Sequence, residues 1–159
     1  MLRVIGLAGA IAVLAGAACA ADQWTGCYQN VLDANALRNN PRAALRVFGI
    51  QILDKDSDVS LTTYPARIKA AARSGAKTFT GEAVCILSGG RLNCQLDNDD
   101  GNLILTRSAD GLKVDNPSKF FLHEQGGGAD EVEVKGDRDN RSFNLAAAKP
   151  AACTGALPR

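Results

Sequence analysis

The only histidine of the chain, His123, is followed by Glu124, which is how a zinc-peptidase motif begins. That motif needs a second histidine four residues after the first, and Gly127 stands there. A catalytic zinc site built on histidines is therefore excluded. A serine or cysteine nucleophile could find its base only at His123, which we interpret as an exposed strand end. A glycosidase that uses two carboxylates stays compatible with the sequence.

Two groups of aspartates have the spacing with which a calcium-binding loop starts. They are Asp54, Asp56 and Asp58 in the first group and Asp97, Asp99 and Asp100 in the second. The first group has Val59 and Pro65 where the calcium loop needs a glycine and a glutamate, and the second has Gly101 one position too early. We interpret both groups as solvated turns, and we expect no metal ion and no cofactor.

The first 21 residues have the composition of a secretory signal peptide. Arg3 precedes an apolar run over residues 4–18, which is short for a membrane span, and the small residues of Ala18-Cys19-Ala20 suit signal peptidase. We predict a cleaved signal at 1–21 and one domain at 22–159, periplasmic or secreted, with no membrane span. A lipoprotein acylated on Cys19 is the alternative, although Gly16 stands where that signal favours a larger aliphatic residue.

The charge of the predicted mature chain argues against two classes of partner. The chain has 18 basic and 17 acidic residues, so loss of Arg3 leaves 17 of each. Such a balance gives no electrostatic reason to bind nucleic acid or an anionic membrane.

Four cysteines remain after the signal, and an even number in an exported chain predicts two disulfides. A two-residue hairpin turn is predicted between the second and third of them, because its two central glycines accept positive φ angles. Counting outward from this turn places Leu87 opposite Leu92 and Cys85 opposite Cys94, within reach of a bridge. The second bridge then joins Cys27 to Cys153. The turn residues are Ser88, Gly89, Gly90 and Arg91.

From residue 59 onward, apolar and polar residues alternate in short runs that end at turns, which is typical of an antiparallel meander. In one run Ala66, Ile68, Ala70 and Ala72 share one face, and the other face carries Arg67, Lys69 and Arg73. We name these three cations the basic stripe. A solvated strand face is the plainer interpretation of the stripe, and a docking surface for an acidic partner is the alternative.

The same counting predicts the next two hairpins. A turn at Asp100-Gly101 would place Leu96 opposite Leu105 and Asn98 opposite Leu103. A turn at Asp110-Gly111 would place Ala109 opposite Leu112 and Arg107 opposite Val114, which makes Arg107 a misfit on an apolar face.

Further strands are predicted at 119–125, 131–135 and 141–145, and Asp33 can cap a short helix that ends near residues 39–41. The glycines at 126–128 predict a mobile loop at the barrel rim. The expected fold is therefore all-β, a small antiparallel up-and-down barrel of about eight strands with a short N-terminal helix, closed by its end strands.

Several of these features together resemble a family of small exported, disulfide-bonded proteins of Gram-negative bacteria with a calycin-like barrel. The shared features are Cys27-Tyr28, Asn40-Pro41, Gly81 to Cys85 with Leu92-Asn93-Cys94, the polar turn at Asp97 to Gly101, Ser142 to Leu145, and Cys153. No activity is assigned to that family, so the resemblance implies the barrel and export and adds no mechanism.

The sequence favours a non-catalytic binding protein, and it leaves two functions open. One is a carrier of a small apolar ligand, since a barrel of eight strands can either fill itself with side chains or enclose one small ligand. The other is a protein that inhibits an enzyme through an exposed hairpin tip. Periplasmic lysozyme inhibitors present a Ser-Gly loop with a nearby cation, and the tip at Ser88, Gly89, Gly90 and Arg91 resembles a short version of that loop.

Overall fold

The computed structural model describes residues 23–55 and 62–157, and in these ranges the chain forms ten β-strands and two short α-helices. The predicted signal segment lies outside the described residues, as do Asp56 and Asp58. The elements are β1 Gly26–Val31, α1 Ala34–Asn39, β2 Leu45–Ile52, β3 Thr63–Ala72, β4 Thr78–Ser88, β5 Arg91–Leu96, β6 Asn102–Ser108, β7 Gly111–Asp115, β8 Lys119–Glu124, β9 Glu131–Lys135, β10 Ser142–Ala148 and α2 Pro150–Thr154.

Eight of the strands close into an antiparallel barrel. Strands β1 to β7 are each hydrogen-bonded to the next in chain order, and β10 lies between β7 and β1. The closing ladder pairs Cys27 with Ala148, Tyr28 with Ala147, and Gln29 with Ala146. The prediction of an up-and-down barrel closed by its end strands is therefore confirmed. The short helix α1 lies between β1 and β2, with the Asp33 carboxylate accepting a hydrogen bond from the Ala36 amide at 2.8 Å.

The hairpin of β8 and β9 leaves the barrel wall and plugs one end of the barrel. It pairs with the start of β4 at Phe79 and Thr80, and its apolar side chains Phe120, Leu122 and Val134 are completely buried in the core. At the outer edge of this plug, the Lys77 ammonium donates hydrogen bonds to the carboxylates of Asp130 and Glu124, and these bonds, the one to Asp130 above all, raise its pKa. Two of the three late strands predicted from sequence therefore form a plug, and only the last joins the barrel.

Side chains fill the inside of the barrel. Most inward positions of the wall strands are buried, and many of them are fully inaccessible to solvent. They include Ile50, Ile52, Ile68, Ala70, Ala83, Leu92, Leu96, Leu103, Leu105, Leu112, Val114 and Leu145. Of the two arrangements open to a barrel of this size, the chain adopts the packed one.

At the opposite end of the barrel, Tyr28 and the polar groups that contact it cover the opening. The buried Tyr28 donates a hydrogen bond to the Trp24 carbonyl at 3.2 Å, and Arg107 donates to the Tyr28 hydroxyl at 2.7 Å. The Arg107 guanidinium also lies 5.6 Å from the centre of the Tyr28 ring. Arg107 is thus no misfit, because it sits at a barrel end where its charge reaches solvent.

The first predicted hairpin register is confirmed and the next two are wrong. Cys85 lies opposite Cys94 and Leu87 opposite Leu92, as counted from sequence. Leu105 and Leu103, however, lie opposite Leu92 and Cys94 rather than Leu96 and Asn98. The cause is a longer connection, because β5 ends at Leu96 and a 3-10 turn follows at Asp97–Asp99 with Asn98 and Asp99 at positive φ.

In the next hairpin the turn falls one residue earlier than predicted, at Ala109-Asp110. Ser108 then pairs with Gly111, and Arg107 with Leu112 rather than with Val114. Gly111 begins β7, and only glycine fits there because a Cβ would collide with the Leu145 carbonyl oxygen of β10. The glycine thus serves close strand packing and not the turn.

Both disulfides expected from sequence are present, Cys85–Cys94 inside the barrel and Cys27–Cys153 between β1 and α2. Two disulfides indicate an oxidising, extracytoplasmic environment. Among the described residues, no helix has the length and apolar composition that a membrane crossing requires.

Candidate functional site

The predicted tip of the β4–β5 hairpin is a rigid, exposed turn. Gly89 and Gly90 have φ angles of 57° and 74°, as a primed two-residue turn needs, and Ser88 and Arg91 flank them. All four residues are solvent-exposed. The Cys85–Cys94 bridge crosses the same hairpin three residues before and after the turn, and it fixes the two strands below the tip.

An apolar patch lies on the outer face of the same hairpin. Val84 and Ile86 point away from the core and are 46% and 53% exposed, and with Val31 they are the exposed large apolar side chains among the described residues. They pair across the sheet with polar side chains of β5, Gln95 and Asn93. The tip and this patch together form a continuous surface that a protein could contact.

The basic stripe supports local structure. Lys69 donates to the Gly155 carbonyl at 2.7 Å, and Arg73 donates to the carbonyls of Leu37 and Asn40 at 2.8 and 2.7 Å. These carbonyls end α2 and α1, where cations are favoured by the helix dipole. Two of the three stripe cations thus hold the helices against the outside of the barrel.

The third stripe residue, Arg67, makes only a loose ion pair with Glu82, at 3.8 Å. Both side chains are mostly exposed. Arg67 therefore matches the plainer interpretation of a solvated strand face.

The residues considered for catalysis or metal binding are spread over the surface. His123 lies on the plug, and its Nε2 atom is 2.6 Å from an Asp100 carboxylate oxygen. Asp97 and Asp99 belong to the exposed turn after β5, and Asp54 is exposed beyond β2. The glycines at 126–128 form the tip between β8 and β9.

The barrel wall opens where its first and last strands meet. The ladder between β1 and β10 ends at Gln29 and Ala146, although β1 continues to Val31 and β10 begins already at Ser142. On its other side β10 stays paired with β7 along its first five residues. The two end strands therefore part towards the plugged end of the barrel.

A pocket of about 170 Å³ fills the space between the parted strands, and we name it the seam pocket. Its lining residues are Asn30 and Leu32 after the β1 ladder, Asn40, Ala43, Leu45, Arg46 and Phe48 around the start of β2, and Asp139, Ser142, Phe143 and Asn144 around the start of β10. The pocket is open on its outer side and has room for a single aromatic ring, since an engineered enclosed cavity of about 150 Å³ holds benzene.

The floor of the seam pocket is aromatic. The rings of Phe48 and Phe143 are 4.8 Å apart and tilted by 47°, and the Phe120 ring of the plug lies 5.7 Å from Phe48 on the inner side. Such tilted ring contacts are favourable and hold each ring in one orientation. Both rings are buried, so the floor continues the core and only a small part of each ring faces the pocket.

Polar contacts at one buried side chain fix the rim of the seam pocket. The Asn140 amide oxygen accepts from the Ala44 amide at 2.8 Å, and its amide nitrogen donates to the Arg42 carbonyl at 3.0 Å. The neighbouring Asp139 carboxylate accepts from the Arg42 amide at 3.0 Å. The loop after α1 is thereby tied to the turn before β10, and the rim keeps its shape.

Comparisons of the chain with protein-family models, curated proteins and solved structures find no match. The function is therefore inferred from the geometry of the seam pocket and of the hairpin tip.

Sequence reasoning identifies the hairpin tip and misses the seam pocket. The pocket residues come from three separate segments, and the alternation of each segment is that of ordinary strand and loop. One signal was available, since Phe48 and Phe143 are two of the five phenylalanines of the chain. Their proximity depends on the registers of β1 against β2 and against β10, which the alternation of each strand does not specify.

Proposed function

We propose that this protein is a non-catalytic binding protein, periplasmic or secreted, and that its ligand is a small, largely apolar molecule held in the seam pocket. The observation that carries the proposal is the ring-sized pocket with the Phe48 and Phe143 floor. Ligand sites in proteins typically combine such an apolar surface with a few polar groups at the rim, here Asn30, Ser142 and Asn144.

The proposal places the ligand at the edge of the barrel and not at its centre. Because the inward side chains occupy the interior, a ligand there would have to displace Leu105 or Leu112, both fully buried. Displacing packed core side chains costs several kcal/mol, whereas the seam pocket is open to solvent. A ligand therefore enters at the seam without unfolding the wall.

A titration with phenol tests this function. We expect phenol to bind with a dissociation constant of about 1 mM, since a one-ring ligand gains only about 4 kcal/mol. Its NMR signature is a shift of the ring protons of Phe48 and Phe143.

Ala43→Leu places added methyl groups in the pocket and should abolish the shifts, whereas Ala146→Leu, on the exposed face of β10, should leave binding unchanged. Thermal unfolding checks that both variants fold. Equal phenol binding by the wild type and Ala43→Leu would contradict the proposed site.

A second candidate function is inhibition of an enzyme through the β4–β5 hairpin tip. The favouring observation is the exposed pair Val84 and Ile86 beside a disulfide-braced tip that offers Arg91. A rigid tip loses little conformational entropy on binding, and a cation at an interface centre pairs with a buried carboxylate.

Inhibition of a muramidase tests this second function. Arg91→Glu should abolish inhibition, and Arg138→Glu, an exposed arginine at the opposite end of the barrel, should leave it unchanged. A wild-type protein that does not inhibit the enzyme removes this candidate.

The proposal includes export by the signal at 1–21. Two disulfides support it, because such bridges persist outside the reducing cytosol. Expression in a Gram-negative host should yield a protein in the periplasmic or secreted fraction that begins after Ala20 or Ala21, as mass spectrometry would show. A protein that keeps residues 1–21, or one acylated on Cys19, would contradict this part of the proposal.

A further inference from the structure

The strand edge beside the seam pocket has a defined direction. In β10 the Ala147 amide donates to the Asp110 carbonyl at 3.1 Å, so the main-chain groups of odd-numbered β10 residues face β7. The main-chain groups of even-numbered residues face β1. Ala146 and Ala148 meet β1 there, but Asn144 and Ser142 lie beyond the end of that ladder.

This edge borders the pocket directly. Ser142 and Asn144 are exposed and line the pocket, together with Phe143 between them, which forms its floor. On the facing strand, Val31 is 48% exposed. A strand edge of amides and carbonyls thus runs along an opening that accepts one ring.

We propose that the ligand of the seam pocket is a short extended peptide segment. It pairs its backbone with the edge at Ser142 and Asn144 and places one aromatic side chain on Phe48 and Phe143. This inference rests on the proposed function of the pocket and adds the class of ligand. Strand addition of this kind takes its affinity from main-chain hydrogen bonds and its specificity from a side-chain pocket.

The charges at the rim favour a neutral side chain. Asn30, Ser142 and Asn144 are uncharged, and the rim carries one cation, Arg46, and one anion, Asp139. These two opposite charges leave the rim without a net charge, and a carboxylate or ammonium buried over the two rings would lose its hydration. Phenylalanine or tyrosine is therefore the side chain that this pocket accepts.

The test uses a five-residue peptide with blocked ends, phenylalanine at its centre and serine or alanine elsewhere, compared with phenol. We expect the peptide to bind at least about tenfold more tightly than phenol. The same peptide with aspartate at its centre serves as the matched control and should not bind.

N-methylation of each backbone nitrogen in turn then reports the pairing. Amides of an extended strand alternate in direction, so methylation should lower the affinity at alternate nitrogens only. Equal affinity for all the methylated peptides, or an equal loss at every nitrogen, would overturn the pairing.

A variant of the protein tests the same contact from the other side. Asn144→Pro removes the amide that faces β1, and proline is tolerated where a strand amide has no ladder partner. Asn144→Ala removes the same side chain and keeps the amide, so we expect it to bind the peptide more tightly than phenol, whereas Asn144→Pro should bind the peptide no better than phenol.

The outcomes separate the two proposals. Phenol binding without tighter peptide binding overturns the peptide inference and leaves the pocket. Peptide binding by Asn144→Pro as tight as by the wild type overturns it as well. Failure of both phenol and peptide to bind overturns the proposed function together with the inference.

Discussion

Single polar side chains hold the non-strand segments of this protein in place. Asn140 ties the loop after α1 to the turn before β10, and Lys69 and Arg73 each hold the end of one helix. Each side chain satisfies backbone groups that no strand partner reaches. Segments with little apolar area of their own thus become part of a rigid surface around the barrel.

Replacing Asn140 by alanine should lower the free energy of unfolding by about 2–3 kcal/mol, because buried backbone groups lose their partners. Urea denaturation measures the change. Asn93→Ala, at an exposed position of β5, should change it by less than about 0.5 kcal/mol.

Asn140→Asp keeps the acceptor but loses both donor contacts, to the Arg42 carbonyl and to Asp137, and so should also destabilise the protein. If Asn140→Asp were as stable as the wild type, the hydrogen bonds of the Asn140 amide nitrogen would not help to hold the rim of the seam pocket.

For single residues, the sequence predicted the direction in which a side chain points better than the contacts that it makes. The outward direction of the basic stripe followed from period-two alternation and is correct. That Lys69 and Arg73 would meet helix ends was not visible, because α1 and α2 dock on the barrel wall from distant parts of the chain. Asn140 gave no signal, since asparagine before a strand is typical of any turn.

The β8–β9 hairpin differs from the other strands because it covers one end of the barrel and does not belong to the barrel wall. Its alternation is the same as that of a wall strand, so the sequence predicted the strands and not their place. The hairpin differs from the wall strands in its pairing. β8 makes only two residue pairs with β4, whereas most neighbouring strands of the wall make five or more. That difference arises from packing across the barrel end and is absent from local pattern.

Phe120→Ala should destabilise the protein by about 3–5 kcal/mol, because it removes a fully buried ring from the plug. Phe121, the next residue, points to the outside and is half-buried, and Phe121→Ala should cost about 1 kcal/mol. Thermal and urea unfolding of the two variants makes the comparison. Equal losses would mean that the hairpin lies loosely on the barrel end and does not plug it.

For the whole molecule, closure of the barrel could be predicted from about eight strands in sequence order, and both disulfide pairings from one well-defined turn and the cysteine count. The seam pocket could not, because it exists only where two strands that are far apart in sequence begin to diverge. One of the two wrong registers had the same kind of cause. Gly111 was assigned to a turn on local grounds, although it lies in β7 and so close to β10 that a Cβ would collide there.

The two disulfides should differ in their contribution to stability. Cys27–Cys153 spans 126 residues and Cys85–Cys94 only 9. Chain-entropy estimates give about 5 kcal/mol for the long loop and about 3 kcal/mol for the short one. Paired alanine replacements, Cys27→Ala with Cys153→Ala and Cys85→Ala with Cys94→Ala, measured by urea unfolding, compare them. A larger loss for the short bridge would show that packing of Cys85 inside the core outweighs the loop term.

The pairing of β1 with β10 also sets the order in which the protein can fold. Hairpins with tight turns form within microseconds, whereas contacts between residues as far apart as Gln29 and Ala146 wait for a large loop to close. During synthesis the strands from β2 to β7 can pair as they appear, while one edge of β1 stays open until β10 has been made. An open edge invites pairing between chains, so a polypeptide stopped before Ser142 should aggregate rather than persist as a smaller barrel.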